Sequence, residues 1–408
     1  MFPKLRFQEF DGAWSNSKID DIAVVTSGGT PSRSNLTFWD GNIPWVTTSL
    51  VDFNIIQSAE EFITQKGLDN SSAKLFPKNT ILMAMYGQGI TRGKVAILGI
   101  DATTNQACAA IKLQSNYDTQ FIFQNLMSRY EEIRDLSNDG GQKNLSAGII
   151  KEIEVYYPEK TEQIKIASFL SVVDEKISQF NQKHELLSQY KQGMMQKLFS
   201  QQIRFKADDG SEFREWERAK VGNITETIFG YPFDSKDMVE DNSGIPLMRG
   251  INIGERHIRH SLELDRFFLK DISKLEKYFV QVNDIVLSMD GSKVGRNSAF
   301  VTIKDTGSLL VQRVCILREK ENTNIQYVYQ WIISKEFHRY VDQVKTSSGI
   351  PHISGKQIQD YEISYPCLEE QTKIANFLSV IDQKIEMVTQ QIEQAKQWKK
   401  GLLQQMFI

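Results

Sequence analysis

Long apolar runs are missing from this 408-residue chain: nowhere do the 18 or so consecutive apolar residues of a membrane span occur. The opening Met-Phe-Pro-Lys-Leu-Arg-Phe lacks the apolar stretch of a secretory leader. Cysteine is scarce. Cys108, Cys315 and Cys367 lie far apart and are odd in number, which excludes a disulfide framework or a zinc knuckle and fits a reducing, cytoplasmic setting. A surplus of one charge is absent too: 48 Lys and Arg against 51 Asp and Glu leave −3, and no part of the chain is a basic domain. Gripping nucleic acid by a bulk positive field is therefore excluded, and any such site must be local. The 9 prolines include no adjacent pair, so the Asn/Asp-Pro-Pro-aromatic motif that grips the amine in amino-methyltransferases is not there.

Enzyme motifs fail in the same way. Between the outer glycines of Gly87–Lys94 stand five residues, and Val95 follows where a P-loop needs Ser or Thr for magnesium. Gly87 and Gly89 are followed by a glycine one position too late for a dinucleotide fingerprint. His257 and His260 lack the spacing and intervening Glu of a zinc protease, and His184, alone on a helix seam, reads as structural. The chain reads as non-catalytic, with no cofactor or metal of its own.

What is present is a repeat. Shifted by 208 positions, Glu162–Ile177 falls on Glu370–Ile385 with 12 of 16 residues identical, and the register runs without a gap to Phe199 and Phe407. Farther back the correspondence survives with small length changes: Asn79, Met85 and Gly87 meet Asn283, Met289 and Gly291, Gln106 meets Gln312, and Ile43-Pro44 meets Ile245-Pro246. Even the lead-ins rhyme, Arg6-Phe7 and Trp14 with Arg204-Phe205 and Trp216. The chain is a tandem duplication with boundaries at 1–157, a first globular domain, 158–202, a spacer helix, 203–365, a second domain, and 366–408, a second spacer helix.

The spacers are helical because apolar residues recur at three-and-four spacing, with no proline from Ile164 to Phe199. Ile166, Leu170, Val173 and Ile177 begin one seam and Ile374, Leu378, Ile381 and Ile385 the other. About 40 residues give a helix of roughly 60 Å, and two such seams bury best against each other as a coiled coil. Lys191 and Lys399 stand where the seam expects an apolar side chain, with Tyr190 and Trp398 one residue earlier, which suggests a local register adjustment. Phe169, Val172, Phe377 and Val380 widen the apolar face at the helix starts, either for contact with the chain's own domains or as a docking surface for another protein's helices.

Each globular part reads as α+β, short strands such as Thr80–Met85 and Asp284–Met289 followed by helices near 119–136 and 325–344. Between the strands lie Gly-bearing loops with Arg, Lys, Asn, Gln, Ser and Thr, which could approach phosphates and base edges or be ordinary solvated turns. The candidate DNA-facing residues are Thr30, Ser32, Arg33, Thr47, Thr48, Tyr86, Gln88, Arg92, Lys94, Lys143 and Asn144 in the first domain. In the second they are Tyr231, Arg249, Asn252, Lys293, Arg296, Asn297 and His352.

The doubled Glu-Gln-x-Lys-Ile-Ala-x-Phe-Leu-Ser-x-x-Asp-x-Lys-Ile helix, each copy following a variable domain, resembles the DNA-specificity subunit of type I restriction-modification enzymes over essentially the whole chain. Gly28-Gly-Thr-Pro31 with Ile43-Pro-Trp-Val46 is similar to the start of a target recognition domain of that family, whereas the second half has Gly230-Tyr-Pro232 in place of the first motif. The resemblance implies an antiparallel coiled coil holding two target recognition domains over an asymmetric bipartite site in double-stranded DNA. It implies two methyltransferase subunits that bring S-adenosylmethionine and adenine-N6 methylation, and two restriction subunits that bring ATP, magnesium, translocation and cleavage. Two alternatives remain open: the same module serving another methyltransferase-linked system, or a coiled-coil scaffold with two protein-binding domains and no DNA role.

Overall fold

Residues 3–86, 90–136, 144–346 and 349–407 are described by a computed structural model. The chain divides into two units, residues 1–182 with 389–408 and residues 183–388, and the architecture is α+β in both.

In the first unit, strands β1 (Ala23–Ser27), β2 (Ile55–Ile56), β3 (Ile81–Ala84), β4 (Val95–Leu98) and β5 (Cys108–Leu113) form a sheet in the order β1-β5-β3-β4-β2. Its pairs are antiparallel except β2 with β4. The central β3 and β4 are buried along their whole length, which is why their sequences are continuous apolar runs without alternation. One sheet face receives helix α1 (Thr119–Ser128) through Phe121, Ile122 and Leu126, and the same core takes in Ile166, Leu170, Val173, Leu402 and Met406. The duplicated part of the second unit repeats this design. Strands β6 (Thr225–Phe229), β7 (Ile285–Ser288), β8 (Ser298–Phe300) and β9 (Val314–Glu319) pair in the order β6-β9-β7-β8. Helices α2 (Ile325–Ile332) and α3 (Lys335–Val344) cover one face, and Leu198, Phe199, Ile374 and Leu378 join that core. Asn79 and Asn283, paired by the repeat, both hold left-handed φ, +69° and +70°, a conformation asparagine tolerates better than most side chains.

The repeated motif lies on two long helices, Lys160–Phe199 and Leu368–Met406. The Glu and Gln that open each motif have structural tasks. Glu162 is fully buried and receives Arg6 Nε and Nη2 at 2.7 Å each. Glu370, equally buried, receives Arg204 Nε and Nη2 at 3.1 and 2.8 Å and the Trp216 indole at 2.8 Å. Gln163 accepts the Asp118 backbone N–H at 2.9 Å and donates to the Pro158 carbonyl, and Gln371 does the same with Asn324 and Pro366. Asp118 and Asn324 are the N-caps of α1 and α2, so each glutamine fastens a long helix to the helix of its own domain.

Within the first unit the two helix segments meet through Asp174 Oδ1 and Lys399 Nζ, 2.6 Å apart, and through Phe169 and Trp398, whose rings are 6.2 Å apart. Within the second unit Lys191 Nζ lies 2.6 Å from both oxygens of Asp382. These are the same contact with the repeat's two copies exchanged, the signature of antiparallel pairing, and it corrects the register expectation. The first helix continues unbroken, and Lys191 stays in the seam, 2% exposed, because Asp382 compensates its charge.

Burial pushes the Lys191 ammonium down to about 8; Asp382 opposes that shift and neighbouring Arg256 adds to it. Between pH 8 and its ordinary 10.5 the unfolded chain keeps this proton while the folded chain loses it, so the contribution of this group to stability rises with pH there. Urea unfolding of the protein and of Lys191→Met is expected to show it. From pH 8 to 9.5 the wild type should gain about 1–2 kcal/mol relative to the variant, and parallel pH curves would refute the assignment.

Candidate nucleic-acid interface

A glycine sets the first recognition loop. A Cβ on Gly28 would lie 2.1 Å from the Thr104 carbonyl oxygen, and one on Gly230 would lie 2.0 Å from that of Val311, so both halves need glycine where the chain leaves its first sheet strand. Gly230 is thus the structural counterpart of Gly28 although the neighbouring motif differs. Beyond Gly28, Thr30 donates its hydroxyl to Gln106 and exposed Ser32 meets Ser34 Oγ at 2.9 Å. The Arg33 guanidinium lies 3.8 Å over the Trp39 ring and 4.8 Å from that of Trp45, while its Nη2 reaches Glu61 at 2.9 Å. Glu61 holds the Arg33 pKa above its ordinary value. Arg33 is therefore a fixed, stacked cation with one exposed edge.

Elsewhere in the first unit Thr47 shares a hydroxyl hydrogen bond with Ser49, and Thr48 and Asn144 are half-buried. Tyr86 is exposed and Arg92 half-buried. Lys94 Nζ pairs with Asp52 at 2.6 Å. Gln88 and Lys143 lie outside the described residues.

The second unit brings more of the candidates together. Arg249, Lys293 and Asn297 line one cavity of about 450 Å³ with Arg259, Gln312, Arg313 and one carboxylate, Asp290. His352 adjoins it, its Nδ1 3.4 Å from Arg313 Nη1 and its backbone bridged to Asp290. Four guanidinium or ammonium groups with two amides are the set that meets phosphates and base edges. Lys293 is tethered to Glu255 at 2.8 Å, and Arg296 to Asp342 by two bonds of 3.2 and 2.6 Å. Arg296 holds the Asp342 carboxyl far below the carboxylate range, with Lys345 adding to it. Tyr231 is exposed and packed edge-on against Phe233 and Tyr278.

Two candidates have other work. Asn252 is 1% exposed; its amide nitrogen donates to the Arg259 carbonyl and to Asp265, and its oxygen accepts the Arg249 backbone N–H. It holds the loop and does not present itself to solvent. Arg249 donates to the Leu264 carbonyl, and burial lowers its pKa, with Arg266 adding to the effect. Sequence reasoning passed over Arg259, Gln312 and Arg313. The repeat itself gave a signal for Gln312, since its counterpart Gln106 is also exposed and bonded to Thr30.

At the helix starts, Phe169 is half-covered by Phe7 and Phe377 by Phe205, at 5.7 and 5.8 Å between rings. Val172 and Val380 remain open, 63% and 49% exposed. Cys108 and Cys315 are buried, which pushes the Cys108 thiol up to about 11 and Cys315 higher still, so neither is a nucleophile. Among the described residues no cluster of His, Cys, Asp or Glu is arranged to hold a metal, and no helix is long and apolar enough to cross a membrane.

Residues 12–188 and 214–397 match the family model described as type I restriction modification DNA specificity domain. The chain is 25% identical over 406 residues to the type I restriction enzyme MjaIX specificity subunit of Methanocaldococcus jannaschii, covering 95% of this chain and 90% of that protein. It is 27% identical over 174 residues to the EcoR124I/EcoR124II specificity subunit of Escherichia coli, 42% of this chain and 43% of that one. In fold it is similar to the crystal structure of a type I restriction-modification S subunit from M. genitalium, with a TM-score of 0.62 at 18% identity over 100% of this chain and 99% of the other.

The glycine requirement is directly testable. Gly28→Ala is expected to lower stability by at least about 2 kcal/mol, because a fixed backbone carbonyl must move. Gly12→Ala, with nothing within 4 Å of the added carbon, should stay within about 0.5 kcal/mol of wild type. Equal melting temperatures for the two variants would contradict the close approach.

Proposed function

Because the chain belongs to the family of type I restriction modification DNA specificity domains, matched over most of both halves, we propose that it is the non-catalytic reader of a bipartite, asymmetric sequence in double-stranded DNA. The observation that carries this reading is the contrast inside the repeat. The bonds of Glu162, Gln163 and Asp174 recur at Glu370, Gln371 and Asp382, while the loops beyond them hold different side chains. Two readers of different half-sites on equivalent mounts need that combination.

In this reading Arg33, Arg92 and Lys94 serve the first half-site and Lys293, Asn297, Gln312 and Arg313 the second. Val172 and Val380 would face helices of two methyltransferase subunits, and two restriction subunits would join that assembly. S-adenosylmethionine, ATP and magnesium would be held by those partners, in keeping with the absence of P-loop and dinucleotide patterns from this sequence. A chain of net charge −3 suits a cytoplasmic complex whose other subunits share the phosphate contacts that dominate affinity.

The test is sequencing of methylated adenines in cells that carry the chain and its methyltransferase, against cells lacking only this chain. Loss of one bipartite methylated motif is expected; an unchanged map with both proteins expressed would instead favour a scaffold without a DNA role. With the motif known, Lys94→Ala should weaken duplex binding through the first half-site and Arg313→Ala through the second, each by about 1 kcal/mol or more. Measured on duplexes with one half-site scrambled, an effect independent of which half remains would reject the assignment of loops to halves.

A further inference from the structure

A second cavity of about 450 Å³ lies within the second unit, between the long helices and α3, and the DNA reading gives it no role. Its walls carry Lys191, Arg256, Lys335 and Arg339 together with His338, against a single lining carboxylate, Glu336. Lys191 is neutralised by Asp382, which also accepts from Gln330 at 3.1 Å and stands 3.8 Å from Arg256. Among the described residues neither Lys335 nor Arg339 meets a carboxylate, and His338 Nε2 is buried without a hydrogen-bond partner. Three cations, Arg256, Lys335 and Arg339, therefore border a space large enough for a diphosphate, Arg256 sharing Asp382 with Lys191, with an unused ring nitrogen beside them.

The electrostatics agree with that count. Burial lowers the His338 pKa, and the charges of Arg296 and Arg256 lower it further. Arg256 also lowers Lys191. Burial is the larger cause at both groups, and the positive neighbours add to it against the opposing carboxylates Asp342 and Glu255 at His338 and Asp382 at Lys191, so an anion in the cavity would act with those carboxylates.

The repeat shows that this is not a by-product of the fold. Arg256 and Phe53 occupy equivalent places: both hold positive φ, +65° and +54°, and both donate their backbone N–H across to the neighbouring strand, at Ser298 and Val95. In the first unit Phe53 packs edge-on against Tyr130, 5.2 Å between rings, so an aromatic pair stands where the second unit has a guanidinium facing an open cavity.

We propose that this cavity of the second unit binds a phosphate-bearing anion, gripped by Arg256, Lys335 and Arg339. Both duplex backbone and a free phosphate compound carry that chemistry, and the inference stands whether or not the loops read sequence.

Calorimetric titration of the full chain with inorganic pyrophosphate tests it. Binding is expected, weakened at least about tenfold when Arg256→Asn and Arg339→Ser are combined, and tightened about two- to fivefold by Glu336→Gln, which removes the lining carboxylate. No binding by the wild type, or one affinity for all three proteins, overturns the proposal. A duplex arm identifies the source. A salt dependence of duplex binding reduced by about one to two ion equivalents in the double variant assigns the site to backbone phosphate. Unchanged duplex binding with pyrophosphate binding lost assigns it to a free phosphate compound. Failure of the sequence-reading proposal looks different: duplexes bound without regard to sequence, while the pyrophosphate results stand.

Discussion

A carboxylate removed from water is tolerable only when charge and hydrogen bonds replace what water supplied, and the fold is organised around two such groups. Glu162 and Glu370 are completely buried at the starts of the long helices, and each is met by an arginine from a lead-in segment more than 150 positions away in the chain. The lead-in, the helix and the domain between them cannot be placed independently. Gln163 and Gln371 close the same knot from the other side by holding the N-cap residues of α1 and α2. The rhyme between Arg6-Phe7 and Arg204-Phe205 thus has a cause: the arginines complete the carboxylate and the phenylalanines cover Phe169 and Phe377.

With the mounts fixed by side chains deep in each unit, the loops carry little of the burden of folding and can change side chains freely. Many loop cations are nevertheless held in position by carboxylates, Arg33 by Glu61, Lys94 by Asp52, Lys293 by Glu255 and Arg296 by Asp342. Exposed pairs of this kind contribute only about 0–1 kcal/mol each, so exchanging the carboxylate for a phosphate costs little while the cation is already oriented. Near-neutral net charge and local nucleic-acid chemistry are compatible for that reason.

The sequence made the scaffold legible and the site only partly so, and the difference lies in the range of the interactions. The helix seams follow a local period, so their residues could be named from spacing alone. Lys191 and Lys399 broke that period, and the reason was invisible without knowing that Asp382 and Asp174 lie opposite them. The loop Arg249-Gly-Ile-Asn252 read as DNA-facing at both ends, yet Leu264 and Asp265 fold back onto it and bury Asn252. Arg259, Gln312 and Arg313 come to one cavity from segments about 50 residues apart, and no spacing rule joins them. Asn79 and Asn283 were legible as repeated positions, whereas Gly28 and Gly230 stood in motifs that differ, and the cause in each case is a conformation or a carbonyl that only the folded chain supplies.

Duplication also explains why the two units can differ in what they offer without differing in how they stand. The backbone turn at Phe53 and Arg256 is one device used twice, with the same handedness of φ and the same strand partner. Its side chain is answerable only to its immediate surroundings. Where Tyr130 supplies a ring, phenylalanine completes a core-like contact; where His338 and Arg339 border an open space, arginine faces a cavity and raises its positive potential. A guanidinium placed there adds to what burial does in lowering Lys191 and His338, while Asp382, 3.8 Å away, offsets part of its charge. A bound anion would complement the charges of Arg256, Lys335 and Arg339 around that space, which the aromatic pair of the first unit has no means to do.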